Sequence, residues 1–279
     1  PACMICFDKS TPIQIDSKIY KNIENIKLNE TIFNGGQIKG LIKVLAGQTK
    51  MYKYNGVIVS GSHLVYENSK WIRVENSKLA ISIKYNNNNV LYCLINKNNK
   101  ILSNGILFSD YQETNNNIIN NLINNYTINY LNNTNKTNTN KTNQYYWGFS
   151  KSTDINTNNG LKNIKNIKIG DYILNSKVIG LVKLDGEDIE LFNYKGLIIS
   201  GQQIVNENGI WLRIYQSKIS RKVEKEKYIY HLITNDNIIS INNLKFRDFC
   251  ETNDNIINNR IDILVEKFKN IEVYSKNVS

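Results

Sequence analysis

Proline and histidine each occur only twice in 279 residues, and cysteine only four times. The cysteines, Cys3, Cys6, Cys93 and Cys250, are too few and too scattered to frame a small disulfide-stapled fold. A chain of this length can bury its core without such staples, so a reducing compartment is expected rather than secretion. No apolar run reaches the about 20 residues that a membrane span requires, and the start lacks the charged-then-apolar order of a secretory signal. The product is therefore expected to be soluble, with no membrane span, and intracellular or virion-associated. Basic clusters interleaved with aromatics are missing as well. The net charge is +11, but the lysines are scattered, which argues against a nucleic-acid partner.

What is present is asparagine, isoleucine, lysine and tyrosine in abundance, a bias that reads as AT-rich coding in a large DNA virus or an AT-rich protist. It also hides an internal repeat. Phe7-Asp8-Lys9-Ser10-Thr11-Pro12-Ile13 lies over Phe149-Ser150-Lys151-Ser152-Thr153-Asp154-Ile155. Tyr54 to Gly61 then meets Tyr194 to Gly201, and Trp71-Ile72-Arg73-Val74 meets Trp211-Leu212-Arg213-Ile214. Leu91-Tyr92-Cys93-Leu94-Ile95 falls on Ile229-Tyr230-His231-Leu232-Ile233, and Phe108 to Thr114 on Phe246 to Thr252. Collinear similarity over so many segments signals duplication.

Within each copy the apolar residues form short β-branched runs, such as Val57-Ile58-Val59 and Leu197-Ile198-Ile199, divided by Gly and Asn. That pattern predicts an all-β fold. Asn34-Gly35-Gly36, Asn55-Gly56 and Asn104-Gly105 fit hairpin turns, because these residues tolerate positive φ. A short helix is predicted after each copy. Ile118, Ile119, Leu122, Ile123 and Tyr126 share one face, as do Ile256, Ile257, Ile261, Leu264, Val265 and Phe268. Thr114, and Thr252 or Asp254, are the candidate caps. Residues 131–143 read as an Asn/Thr-rich linker with sequons such as Asn135-Lys136-Thr137. The expected domains are 1–130 and 144–279, each a β module with a C-terminal helix.

Cys6 stands near the start with His63 downstream, which supplies a nucleophile and a proton donor for chemistry on a peptide bond. The backbone nitrogen of Cys6 would be the leaving amine, so attack on the Ile5 carbonyl is intramolecular. The run Cys6-Phe7, Ser10-Thr11-x-Ile13 and Val59-Ser60-Gly61-Ser62-His63 resembles the Hint module of inteins, hedgehog-type autoprocessing domains and bacterial intein-like domains. Leu91 to Leu94 and Asn104 to Asp110 resemble the family's C-terminal pair of blocks. The resemblance implies two tandem Hint-like β modules, horseshoe-shaped and pseudo-twofold. It also implies that His63 protonates the amide nitrogen, while Ser60, at the usual threonine of a Thr-x-x-His motif, polarises the peptide. The thioester would be opened by water, a thiol or another nucleophile, and the upstream polypeptide is the substrate in cis. The residues before Cys6 are read as the remnant of such a chain.

Where inteins end in His-Asn, Ser109 and Asp110 stand here, so cleavage without complete splicing is expected. Cys93 matches a position that often assists catalysis, as an acyl acceptor or general acid, although a lone cysteine in a strand is most often packing. Glu30 lies near the loop where hedgehog domains place an acid, and carries little weight. The candidate catalytic set is Cys6, His63, Ser60, Cys93 and Asp110, with no cofactor. The second copy holds Gly148 for Cys6, Gln203 for His63 and His231 for Cys93, and keeps Ser200 and Asp248. It reads as a degenerate copy. Three rivals remain: zinc held by Cys3, Cys6, His63 and Cys93, with no native metal the preferred expectation, a redox pair of Cys3 and Cys6, and an inert structural or binding β-module, for instance in a virion.

Overall fold

A computed structural model describes residues 5–134 and 146–278. Cys3, the linker from residue 135 and its sequon fall outside the described residues. The fold is all-β, as the alternation and the Asn-Gly punctuation predict. Among the described residues the only α-helices are α1 (Asn117–Asn132) and α2 (Asn255–Val278). The long strand Gly36–Leu45 shows why the sequence chooses strand: Ile38, Ile42 and Val44 are buried, whereas Lys39 and Lys43 alternate with them toward the other face. The expected hairpins close with positive φ at both central residues, 45° and 87° at Asn55-Gly56 and 50° and 74° at Asn104-Gly105.

The chain divides into two compact units, one comprising residues up to Asn120 together with those from Asp254 onward, the other Asn121–Asn253. In the first, an antiparallel sheet runs in the order Ala80–Ile83, Met51–Tyr54, Val57–Ser60, Phe7–Asp8, Val90–Asn96, Gly36–Leu45. A second sheet runs Lys100–Ser103, Ile106–Ser109, Leu64–Glu67, Lys70–Arg73. In the other unit the order is Arg221–Val223, Leu191–Tyr194, Leu197–Ser200, Phe149–Ser150, Tyr228–Thr234, Ser176–Asp185. Its second sheet runs Ile238–Ile241, Leu244–Arg247, Ile204–Glu207, Ile210–Arg213. The order of pairing is the same in both units.

Each unit is closed by its own core. Phe7 meets Phe108 edge to face at 5.2 Å, and Phe149 meets Phe246 at 5.2 Å. Such a pair adds roughly 0.5–1.5 kcal/mol beyond the area it buries. Ile13, Val59 and Leu94 surround the first pair; Ile155, Ile199 and Leu232 surround the second.

The structure groups the helices otherwise than the boundaries 1–130 and 144–279 do. Helix α2 belongs to the unit of the first repeat, and the larger part of α1 to the unit of the second. The reason is local. Asn270 on α2 pairs with both backbone groups of Trp71, accepting from its N–H at 2.8 Å and donating to its carbonyl at 2.9 Å. Asn132 on α1 does the same to Trp211, at 2.9 and 2.8 Å. An asparagine amide thus supplies the strand edge with the partner a further strand would give. Asp254 caps α2 as one of the two expected candidates, whereas at α1 the cap is Asn116 and not Thr114. Asn116 Oδ1 accepts from the Ile118 and Ile119 amides, and Asp254 Oδ1 from those of Ile256 and Ile257. Thr114 instead accepts from the Asn116 amide. Asn and Asp outrank Thr as caps. Of the residues on the expected helical faces Ile119, Ile257 and Val265 are buried, whereas Ile118 and Ile256 are exposed.

Candidate functional site around Cys6 and His63

Cys6 precedes the strand Phe7–Asp8, which is clamped between Val57–Ser60 and Val90–Asn96. This placement buries Cys6 completely. Its amide N–H donates to Ser60 Oγ at 3.0 Å, and its carbonyl accepts from the Ser60 N–H at 2.9 Å. Ser60 therefore grips the nitrogen that would leave. Ile5, whose carbonyl joins Cys6 to the preceding chain, is also buried.

His63 follows in a tight turn, its N–H donating to the Ser60 carbonyl at 3.1 Å. The imidazole packs against Phe7 with ring centroids 4.3 Å apart. Its Nε2 lies 2.9 Å from the Ser109 carbonyl. A carbonyl only accepts, so Nε2 carries the hydrogen and Nδ1 keeps its lone pair. Among the described residues that buried Nδ1 has no hydrogen-bond partner. Burial pushes the imidazole down to about 3, the Ser109 carbonyl opposes this, and the charges of Arg73 and Lys269 add to the fall. The resting ring is neutral.

Cys93 sits in Val90–Asn96, with its Cα 4.7 Å from that of Cys6, and the two are joined by a disulfide. Two of the four cysteines, read as too few and too scattered to frame a disulfide-stapled fold, nonetheless form this bond. Their separation of 87 residues hides what strand pairing brings together. The zinc reading loses ground for the same reason, since two bonded sulfurs are not thiolate ligands. Among the described residues no group of three or more His, Cys, Asp or Glu is placed to hold a metal ion.

Asp110 is placed differently. Its carboxylate accepts from the amides of Asn96, Gln112 and Glu113 and from the Asn99 side chain. Burial pushes its carboxyl up to about 6 against those bonds. Asp248 in the other unit accepts from Thr234, Cys250 and Glu251 amides and from the Asn237 side chain. Both aspartates pin the same turn. Glu30 pairs with Lys21 at 2.6 Å and accepts from the Lys27 amide, as Asp171 pairs with Lys162 at 2.8 Å and accepts from Lys168. That duplication marks a structural lock.

Two residues near His63 carry no sequence motif. Arg73 Nη1 donates to the Ser62 carbonyl at 2.7 Å and to Glu113 at 2.5 Å, and this pair is buried. Arg213 and Glu251 form the same pair, with Arg213 donating to the Gln202 carbonyl at 2.6 Å. The signal was in the repeat, where both charged residues recur among apolar neighbours.

In the second unit the same positions are closed. The Gly148 amide donates to Ser200 Oγ at 2.9 Å. A Cβ at Gly148 would lie 2.7 Å from the Tyr230 carbonyl oxygen. Gln203 Nε2 donates to the Arg247 carbonyl at 2.6 Å, as His63 does to that of Ser109. Its Oε1 accepts from His231 Nε2 at 2.6 Å, and His231 Nδ1 accepts from the Leu232 amide at 2.8 Å. Both ring nitrogens of His231 are thereby used, and burial holds that ring neutral, down to about 3.

No family model matches the chain, and no curated protein is similar to it. Among solved structures the chain is similar to the gp41-1 intein, at 13% identity and a TM-score of 0.32, with 37% of this chain and 100% of that one covered. A triply substituted form of the same intein gives 14% identity and a TM-score of 0.31 over 37% and 100% of the two chains. No helix among the described residues is long and apolar enough to cross a membrane.

Proposed function

We propose that the first repeat is a Hint-like autoprocessing module that cleaves the peptide bond between Ile5 and Cys6. The observation that carries the reading is the buried Nδ1 of His63, without a hydrogen-bond partner among the described residues, in the unit that holds Cys6, where the other unit has both nitrogens of His231 satisfied and Gly148 in the place of Cys6. The Cys6–Cys93 bond is first reduced by an external thiol, which leaves two protein thiols and an oxidised reductant. The Cys6 thiol gives its proton to His63 Nδ1, and Sγ bonds to the Ile5 carbonyl carbon. The C–N bond breaks, and the imidazolium returns the proton to the Cys6 nitrogen, already held by Ser60. Water or a thiol then opens the thioester. Aspartate at position 110 has no side-chain amide to cyclise, so splicing is not completed.

The Cys6–Cys93 bond favours a second reading, in which the cysteines merely crosslink an inert β-module. A folded reporter fused before Pro1 decides between them. Under dithiothreitol the first reading expects the reporter to be released, and Cys6→Ala and His63→Ala each to abolish release. A fusion that stays intact, reduced and native, selects the inert module. Mass spectrometry of the released end identifies the acyl acceptor.

A further inference from the structure

The two helices run in register against their units. Counting from the caps Asn116 and Asp254, Asn132 and Asn270 fall at equal distance and each clasps a tryptophan backbone. Positions between them can therefore be compared. Where α2 carries Asp262, Glu266 and Lys269, α1 carries Asn124, Ile128 and Leu131. In the second unit the Arg213 Nη groups bond to Glu251 and to neutral Asn124, the latter at 3.0 Å. The buried pair and the docked helix thus close without extra charge. Around Arg73 the charge is present nonetheless. Arg73 Nη2 donates to the Asp262 carbonyl at 3.1 Å, with Asp262 Oδ1 at 3.6 Å and Glu266 Oε2 at 3.9 Å from the guanidinium. Lys269, itself buried, donates to the Glu113 carbonyl at 2.6 Å and lies 4.3 Å over the Trp71 ring.

These contacts converge on both anchors of His63. Arg73 holds the carbonyl of Ser62, the residue before it. Glu113 ends the turn that starts at Ser109, whose carbonyl takes the Nε2 hydrogen. We infer that Asp262, Glu266 and Lys269 of α2 are positioning residues for His63, acting through Arg73 and Glu113, so that cleavage by the first repeat depends on a helix encoded after the second. This rests on the reading of Cys6 and His63 proposed above. The surplus charge lies only on the helix that serves the unit with Cys6 and the open imidazole. The charged groups that face the ring are Arg73 and Lys269, with Glu113, Asp262 and Glu266 behind Arg73 and Asp110 on the Ser109 turn.

The test transplants α1 chemistry into α2 in the full reporter fusion, as Asp262→Asn, Glu266→Ile and Lys269→Leu together. Fold is expected to survive, because the second unit uses those residues in the same places. Under reductant the cleavage rate is expected to fall on the order of 10²-fold, the cost of a misplaced reacting group. The two histidines provide an internal control. With isotope-labelled histidine both rings are expected to read neutral at pH 5, and the variant moves the His63 nitrogen signals while leaving those of His231 in place. Loss of the Lys269 charge also raises the pH at which His63 protonates, since a nearby cation disfavours the imidazolium. A variant that cleaves within about twofold of its parent overturns the inference. So do unmoved His63 signals, even if cleavage falls. A parent that does not cleave defeats the reading of Cys6 instead, and the histidine signals then decide the positioning of His63 by themselves.

Discussion

Cys6, His63 and Cys93 in the first repeat face Gly148, Gln203 and His231 in the second, on strands paired in the same order. What survives this exchange is what the fold requires. The Ser60 or Ser200 hydroxyl that accepts from the first strand's amide survives, as do the aspartate that pins the turn and the buried arginine and glutamate. What changes is the thiol and the hydrogen bonding of the imidazole. In the second unit Gln203 and His231 satisfy each other, so every polar atom of the ring is used. In the first, the carbonyl of Ser109 is served but one ring nitrogen has no partner among the described residues. A buried acceptor without a donor costs about 1–3 kcal/mol.

The comparison breaks most visibly at the buried ion pairs. Arg213→Met leaves Glu251 buried without its cation and is expected to cost about 3–5 kcal/mol. Arg73→Met strands Glu113 and is expected to cost a similar amount, both read from urea unfolding followed by tryptophan fluorescence. Only the second of these should also slow reporter release. Losses that differ by more than about 2 kcal/mol would show that the two pairs hold their units in different ways.

Much of this was legible in the sequence. The all-β class and the Asn-Gly hairpins follow from local patterns, because strand alternation and positive φ are properties of a few adjacent residues. That Ser60 lies against the peptide before Cys6 was an implication of the resemblance, and the hydrogen bond itself appears only in the fold. The Cys6–Cys93 bond was not legible: it depends on two strands separated by most of a repeat. Nor was the grouping of the helices, as an amphipathic face records that a helix docks and not on which unit. The backbone partners of Asp110 were not legible for a related reason, since they lie on neighbouring strands and on the turn that follows.

A smaller effect separates Cys6 from Gly148. At Gly148 a methyl group would press on the Tyr230 carbonyl, a backbone atom that cannot rotate aside. Gly148→Ala is therefore expected to cost about 1–3 kcal/mol, as overpacking does, with a lowered melting temperature. Gly148→Cys combined with Gln203→His should accordingly fold less well and release nothing. If the double variant folds at parental stability and cleaves before residue 148, the second repeat is a dormant site and not a closed one.

The smallest expected effect lies at the hairpin that the repeats share. Asn55-Gly56 and Lys195-Gly196 occupy the same turn, with φ of 45° and 51° at the first central residue. Asparagine reaches this left-handed region readily because its short amide bonds locally, whereas the Cβ of lysine meets its own carbonyl at a cost of about 1–2 kcal/mol. Lys195 Nζ recovers part of that cost by lying 5.7 Å over the Tyr194 ring, a contact worth roughly 0.5–1 kcal/mol at an exposed site. Lys195→Asn exchanges the cation contact for a relaxed backbone. The balance is expected to favour the variant by about 0.5 kcal/mol, measured as a shift in urea midpoint at constant slope. The mirror substitution, Asn55→Lys, should lose about 1 kcal/mol, since the turn is strained and the compensating cation contact must be built anew. If both changes are neutral, the turn is set by Gly56 and Gly196 alone, and the first central position does not distinguish the repeats.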